Sequence, residues 1–401
     1  MVFNGLYAPK LLIILAPSGH LGVLVFFVLS GFVIASSNRN GLTKQNIATY
    51  LKKRFVRIYP IYLISIVTIL VTTANNYGAE YILLNILLLQ PLFTPAFIEN
   101  GPAWSLNFEV LYYLLFIPFS FFRINPLLIL ATSVIIALAN YGLYPNLHTP
   151  IISSYLFGLS FWIGGVYIAK HSVIEERKID YKKVLSALFL LLSVDRLLAK
   201  SGLPELPDTI AYFFFHKHLL YPPVELGKIL NTYRDLAFLP CCILLVLVFS
   251  NRKVKYQKLL TFIVHIPLIY SILVTIFEIV THKPQENMGS FAINIGYYLV
   301  SVVLPFLNMA LLTKVAKKIL HFGTWLGSIS YAMYIIHCPI IFALGRITAF
   351  NNTPLSFFVK LVVFGVVLIG LSYWLERIFQ PFIKKLAGFN ASPQVGATNK
   401  L

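Results

Sequence analysis

Apolar stretches of about 20 residues, the length a helix needs to cross a hydrocarbon core of roughly 30 Å, recur along nearly the whole of this 401-residue chain. A soluble fold cannot absorb so many of them, because it must interleave apolar positions with charge. Only 11% of the residues are charged and 58% are hydrophobic, against roughly 25% charged in soluble domains. The expected fold is therefore all-α, a polytopic transmembrane helical bundle.

Eleven spans are expected, at about 21–37, 55–73, 103–122, 126–142, 151–169, 184–200, 236–250, 259–280, 291–313, 324–345 and 357–376. The run from Tyr81 to Phe93 is shorter than a span and carries Asn85, Gln90 and Pro91. It reads as re-entrant or interfacial. Charge supports this count, because loops on the cytoplasmic side are enriched in Lys and Arg. With 38–57 placed inside, alternate segments hold 23 of the 32 basic residues, among them Arg39, Arg123, Lys170, Arg252, Lys314 and Lys385. The opposite set is nearly free of them, except the long loop 201–235, where Lys217, Lys228 and Arg234 are offset by acids. A full crossing at 81–93 would invert every later loop. With 81–93 re-entrant or interfacial, the C-terminus is expected in the cytoplasm.

The net charge of +18 would suggest nucleic acid in a soluble protein. Here the cations sit between apolar runs, as topology signal and lipid-headgroup contacts, and no nucleic-acid module is present. Cys241, Cys242 and Cys338 lie inside apolar segments without metal-ligand spacing, so they read as packing residues rather than a disulfide or metal site. The short apolar run Leu11 to Ala16 is broken by Pro17 and lacks a cleavage site, so no signal peptide is expected. Residues 1–20 form an N-terminal segment, 21–385 one membrane domain, and 386–401, rich in Ala, Asn, Gly, Ser and Pro, a disordered tail. No internal repeat is visible, which speaks mildly against repeat-built transporters.

Four local patterns carry chemistry. The first is Gly22-Val23 followed by Phe26-Phe27-Val28-Leu29-Ser30-Gly31-Phe32. In the second, Arg54-Phe55-Val56-Arg57-Ile58-Tyr59-Pro60, two guanidinium groups one helical turn apart can share a face and hold a phosphate. An ordinary positive stop at a membrane interface is the plainer account. The third, Trp104-Ser105-Leu106-Asn107-Phe108-Glu109, continuing through Tyr112 and Tyr113, brings a carboxylate into an apolar span. That is costly unless the group is paired or faces a cavity, so Glu109 is either a functional residue or a helix–helix contact. The fourth, Gly327-Ser328-Ile329-Ser330-Tyr331-Ala332-Met333-Tyr334-Ile335-Ile336-His337 and then Pro339, puts Ser330, Tyr334 and His337 on roughly one stripe. That stripe lines a polar cavity or makes interhelical hydrogen bonds. Glu376, beside Arg377 and near Lys384, reads first as a salt-bridged helix end.

Together these patterns resemble the membrane acyltransferase 3 family, whose members include O-acyltransferases of bacterial surface polysaccharides. Leu24 stands where that family commonly has an acidic residue, and Pro381 falls later than its usual Glu-Arg-Pro spacing. The resemblance implies an enzyme of the inner (cytoplasmic) membrane that moves an acyl group, acetyl in the simplest case, from acyl-CoA to a hydroxyl of a glycan or glycolipid. It implies no bound cofactor or metal, contact with membrane lipids, and leaves a separate periplasmic partner open. By it, Arg54 and Arg57 anchor the coenzyme. Trp104, Tyr331 and Tyr334 bind substrate, and Glu109, His20 and His337 are the catalytic candidates. The family normally begins with one further helix bearing a basic residue and a catalytic His. Lys10 and His20 imitate that spacing only loosely. The expectation is a truncated first helix; the other reading gives His20 the catalytic position. Two rivals stand: a transporter or flippase using Glu109 and His337 along a path, and a subunit that only recruits partners.

Overall fold

The fold comes from a computed structural model of the 401-residue chain. The structure describes residues 19–73, 75–143, 150–175, 180–219, 231–281, 288–307, 310–348 and 351–389, together with Pro9. Lys10, Lys228 and most of the expected N-terminal segment and tail lie outside the described residues. The helices are α1 Gly19–Ser37, α2 Ile47–Thr72, α3 Ala79–Ile86, α4 Trp104–Phe121, α5 Pro126–Leu143, α6 Pro150–His171, α7 Tyr181–Lys200 and α8 Leu206–Phe215. They continue as α9 Leu239–Phe249, α10 Gln257–Val280, α11 Met288–Val303, α12 Ala310–Gly327, α13 Ser330–Gly345, α14 Pro354–Trp374 and α15 Gln380–Leu386. Strands β1 Val173–Ile174 and β2 Arg252–Lys253 form a small antiparallel ribbon.

The all-α membrane character holds, and a helix stands at each expected span. Six helices among the described residues are long and apolar enough to cross a membrane: Gly19–Ser37, Ile47–Thr72, Pro126–Leu143, Ile151–His171, Gln257–Val280 and Pro354–Leu386. A seventh follows if Thr313–Gly327 and Ser330–Gly345, bent by 74°, form one broken span. Eleven crossings is thus a finer count than length and apolarity support; α9, for instance, has 11 residues.

Two expected boundaries change. The run 291–313 divides at Pro305, where α11 gives way to a 3-10 turn, Leu304–Phe306. Lys314, Lys317 and Lys318, expected in a loop, lie exposed on α12. Their spacing puts them on one helical face, while Ala316 on another packs against Leu185 and Leu304. Accordingly, the expected span 324–345 begins only at Ser330. The loop 201–235 also contains a helix, α8.

The chain forms two compact units. The first comprises Thr43–Leu114 and the segment from Lys318 onward. Here α3, with 8 residues, is far too short to span about 30 Å, and carbonyls of the irregular backbone after it find protein donors, Asn107 Nδ2 at 2.5 Å from Leu88 O and Tyr81 Oη at 2.8 Å from Ala96 O, as a non-aqueous setting demands. Tyr62 donates its hydroxyl hydrogen to Asn85 O at 2.8 Å, and Gln90 Nε2 donates to Tyr62 Oη at 3.0 Å. The approach to α4 is fastened by Glu99, whose carboxylate accepts from Thr73, from Asn75 Nδ2 at 2.8 Å and from Tyr77 Oη at 2.7 Å.

The second unit comprises Ile14–Leu42 and Leu115–Lys317. Its most intimate contact is α1 against α6, and glycine makes it so. A Cβ on Gly31 would lie 1.9 Å from Trp162 O, and one on Gly165 would lie 1.9 Å from Val28 O. Small residues let helix backbones approach closely where apolar solvent supplies no hydrophobic drive between helices. Trp162 Nε1 then donates to Ser30 Oγ at 3.3 Å. The pattern around Ser30-Gly31 thus packs α1 against α6. Polar contacts close the other seams: Asn140 Nδ2 donates to Ser153 Oγ at 2.8 Å, and Asn231 N to Ser154 Oγ at 2.8 Å. The ribbon pairs Val173 with Lys253 and Ile174 with Arg252. It thereby joins two basic segments that the charge pattern assigned to one side.

Candidate functional site

In the first unit, the start of α4 and the middle of α13 are tied by polar groups. Tyr334 Oη donates to Pro102 O at 2.8 Å and shares a 2.8 Å hydrogen bond with Ser105 Oγ. One turn into α4, Glu109 is buried, and Tyr113, four residues later, donates its hydroxyl hydrogen to the Glu109 carboxylate. The i, i+4 spacing makes that contact available on one helix face. Trp104 stacks edge-to-face on Phe108, with centroids 5.1 Å apart.

His337 lies one turn beyond Tyr334. Its Nδ1 is 2.7 Å from Tyr334 O and its Nε2 is 3.3 Å from Cys338 Sγ. A backbone carbonyl accepts only, so the ring proton belongs on Nδ1 and Nε2 presents its lone pair. Tyr331 points elsewhere and donates to Ile58 O at 2.7 Å. Ser330 closes its own helix start, donating to Gly327 O at 2.8 Å.

Arg54 and Arg57 have separate surroundings. Arg57 pairs with Glu376 at 2.6 Å and lies over the Tyr331 ring at 5.6 Å. Glu376 is buried in a π-helical turn, Leu375–Phe379, and also accepts from Ala332 N at 3.4 Å. The partner expected from sequence, Arg377, instead donates to Ser328 Oγ at 2.6 Å. The extra residue of a π turn re-aims the side chains around it, which spacing alone does not reveal. Arg54 sits 5.8 Å from the rings of both Tyr50 and Tyr113. It borders an apolar cavity of about 590 Å³ whose walls include Phe55, Tyr59, Leu88, Asn107 and Tyr113.

His20 belongs to the second unit. Its Nε2 lies 3.0 Å from Asp235 Oδ1. Asp235 is buried and is itself fixed by Thr232 N, which donates to it at 2.7 Å in a capping box. Asp195 on α7 adds a second carboxylate charge acting on His20. In sequence Asp235 shows only as charge balance in a loop; the Thr232-x-x-Asp235 capping pattern is the signal for its fixed carboxylate, and its contact with His20 has none. Cys241 and Cys242 are buried free thiols on α9, and no cluster of metal-ligating residues occurs among the described residues.

A buried carboxylate beside tyrosine hydroxyls, a histidine of fixed tautomer and an arginine at an apolar cavity, on membrane-type helices, define a polytopic helical protein with a polar site inside it. The family model for the acyltransferase domain of the acyltransferase 3 type matches residues 2–266, and the chain belongs to that family. The match includes His20, Arg54, Arg57, Trp104 and Glu109; Tyr331, Tyr334 and His337 lie beyond it. The chain is also similar to acyltransferase MdmB of Streptomyces mycarofaciens, with 32% identity over 111 residues. That alignment takes in 24% of this chain and 27% of the relative, so the chain matches about a quarter of that protein's length. No solved structure matches the chain significantly.

Proposed function

We propose that the chain is an integral membrane O-acyltransferase that moves an acyl group, acetyl in the simplest case, from acyl-CoA to a hydroxyl of a cell-surface or exported glycan. Membership of the acyltransferase 3 family carries the reaction class. The observation that carries the chemistry is the His337 ring, whose proton is held on Nδ1 by Tyr334 O at 2.7 Å. A hydroxyl is a weak nucleophile at neutral pH, so a positioned base must take its proton during attack. His337 Nε2 accepts that proton as the acceptor oxygen bonds to the thioester carbonyl carbon. The tetrahedral intermediate collapses, the C–S bond breaks, and the imidazolium returns its proton to the leaving thiolate.

Around this base, the Tyr334 hydroxyl, turned from Pro102 O, supplies a donor to the developing oxyanion, whereas Tyr331 keeps its bond to Ile58 O and shapes the substrate wall. Glu109 and Trp104 form the polar wall that receives the sugar. Arg54 meets the donor's phosphates, with the acyl-bearing arm in the adjoining apolar cavity, while Arg57 acts as a positioning residue through Glu376. The enzyme works in the inner membrane, with its C-terminus in the cytoplasm, about eleven crossings, one re-entrant segment at 81–93 and a family domain over 21–385. A second assignment of the base rests on its own observation. His20, 3.0 Å from Asp235, has the carboxylate-held arrangement that stabilises an imidazolium.

The test is acyl transfer from labelled acetyl-CoA to total cell glycan by the purified chain in lipid. His337→Ala is expected to lower the rate roughly 10²- to 10⁴-fold, the usual worth of a general base. If His20→Ala does so and His337→Ala does not, the second assignment replaces the first. Loss from neither overturns both, and substrate flux without thioester consumption would make the chain a transporter.

A further inference from the structure

We propose that the second unit carries a phosphate-binding site in the cavity where Arg39, Arg123, Lys170 and Arg252 converge. This cavity measures about 890 Å³, within the roughly 300–1,000 Å³ typical of small-molecule sites. Its four cations come from four separate segments: the turn after α1, the end of α4, the last turn of α6 and strand β2. Among the described residues, no acidic side chain lines it and none of the four cations is in an ion pair.

The backbone is shaped to bring these groups together. Leu42 N donates to Ser120 Oγ at 2.9 Å, which draws the Arg39 turn onto the end of α4. Arg123 follows α4 with φ 52°, a left-handed conformation, and its N–H donates to Ser120 O at 3.3 Å. Glycine is the usual occupant of that cap position. A long cationic side chain there keeps a strained backbone that glycine would relieve. Arg252 is held from the other side by Ser172, donating to its hydroxyl at 3.2 Å, and by the Phe32 ring at 5.4 Å.

Cations that serve only as topology signal need no common focus. Four that share one concave space repel one another, and an anion removes that repulsion. Guanidinium forks match phosphate oxygens bidentately, so the class of ligand is a phosphomonoester or diphosphate group. Two sources carry that group to a membrane protein: the nucleotide end of an acyl-CoA and an anionic lipid headgroup. If the donor is the source, this cavity replaces Arg54 as the holder of its phosphates; binding is read without turnover, so its failure is distinct from failure of the transfer reaction.

The experiment uses the full chain in phosphatidylcholine nanodiscs, titrated with adenosine 3′,5′-bisphosphate and with pyrophosphate by calorimetry. A parallel arm measures phosphatidylglycerol retained after exchange from mixed nanodiscs. Binding in either arm is expected to weaken with added NaCl. In Arg39→Gln with Arg123→Gln it is expected to fall roughly tenfold or more, the worth of one charge-assisted hydrogen bond. Loss of nucleotide binding names the donor as the source; loss of lipid retention names the headgroup. Lys170→Gln, measured alongside, serves if the double variant does not fold. The proposal is overturned if wild-type protein binds no phosphate-bearing probe above adenosine and neutral lipid, or if folded variants bind as tightly as wild type.

Discussion

Substituting Gly31 or Gly165 by alanine probes the seam between α1 and α6 most directly. The new methyl carbon would start 1.9 Å from a backbone carbonyl oxygen in each case, where ordinary van der Waals contact begins near 3.4 Å. The obstacle is backbone, so no rotamer change relieves it, and the helices must part by more than 1 Å. Overpacking costs roughly 1–3 kcal/mol when side chains can yield, and more when they cannot, so about 3 kcal/mol is expected here. At roughly 2–4 °C per kcal/mol for a unit of this size, Tm falls by roughly 6–12 °C. Heating detergent-solubilised protein and measuring the surviving monodisperse fraction by size-exclusion chromatography reads this shift. Two glycines serve as internal controls. Gly22 has nothing within 4 Å of its added Cβ, and Gly164 would meet only the side chains of Leu239 and Ile243 at 3.3–3.4 Å. Their alanine variants should stay within about 1 kcal/mol of wild type. If all four variants melt together, close backbone approach is not what holds this seam.

Arg57→Ala should destabilise the first unit by roughly 2 kcal/mol, below the full cost of stranding a buried charge because the Arg57 end is 40% exposed. A double-mutant cycle with Glu376→Ala that shows no coupling would dismiss the pair. Tyr334→Phe removes the bonds to Pro102 and Ser105 and should cost roughly 1–2 kcal/mol with little change in packing; an unaltered Tm would contradict it. At Glu99, burial raises the carboxyl's pKa, but hydrogen bonds from Thr73, Tyr77 and Asn75 outweigh it and hold the group below its ordinary value of 4.5. A lowered folded-state value means that stabilisation is full above pH 4.5 and is lost as pH falls through the folded value. The difference in Tm between wild type and Glu99→Gln should therefore shrink below that pH, and a constant difference would refute the assignment.

Helix positions were legible because apolar runs long enough for a membrane leave few other structures, and the short apolar run at 81–93, interrupted by Asn85, Gln90 and Pro91, signalled that no ordinary span forms there. The amphipathic α12 was not legible as a helix. Its Lys314, Lys317 and Lys318 read as loop charge, although the same spacing fits one helical face. Candidate site residues were legible as residue types and local spacing, as with Glu109 and Tyr113 four apart. Pairings across the chain were not. Nothing in the spacing joins Arg57 to Glu376, because a π turn sets that carboxylate's direction. Likewise His20 meets Asp235 only once α1 has packed into its unit. The Arg54 and Arg57 pattern was visible, but the different environments of its two guanidinium groups depend on tertiary neighbours.

The ribbon of Val173–Ile174 with Arg252–Lys253 imposes a parity rule on the chain it encloses. Two hydrogen-bonded segments outside the hydrocarbon must lie on the same face of the membrane, so the residues between them cross it an even number of times. Of the helices in that stretch, α7 carries Asp195 and Arg196 in its final third and α9 has only 11 residues. Neither is persuasive alone as a span. Parity couples their fates: if α7 crosses, the chain must return before Arg252, and α9 is the apolar helix placed to do it.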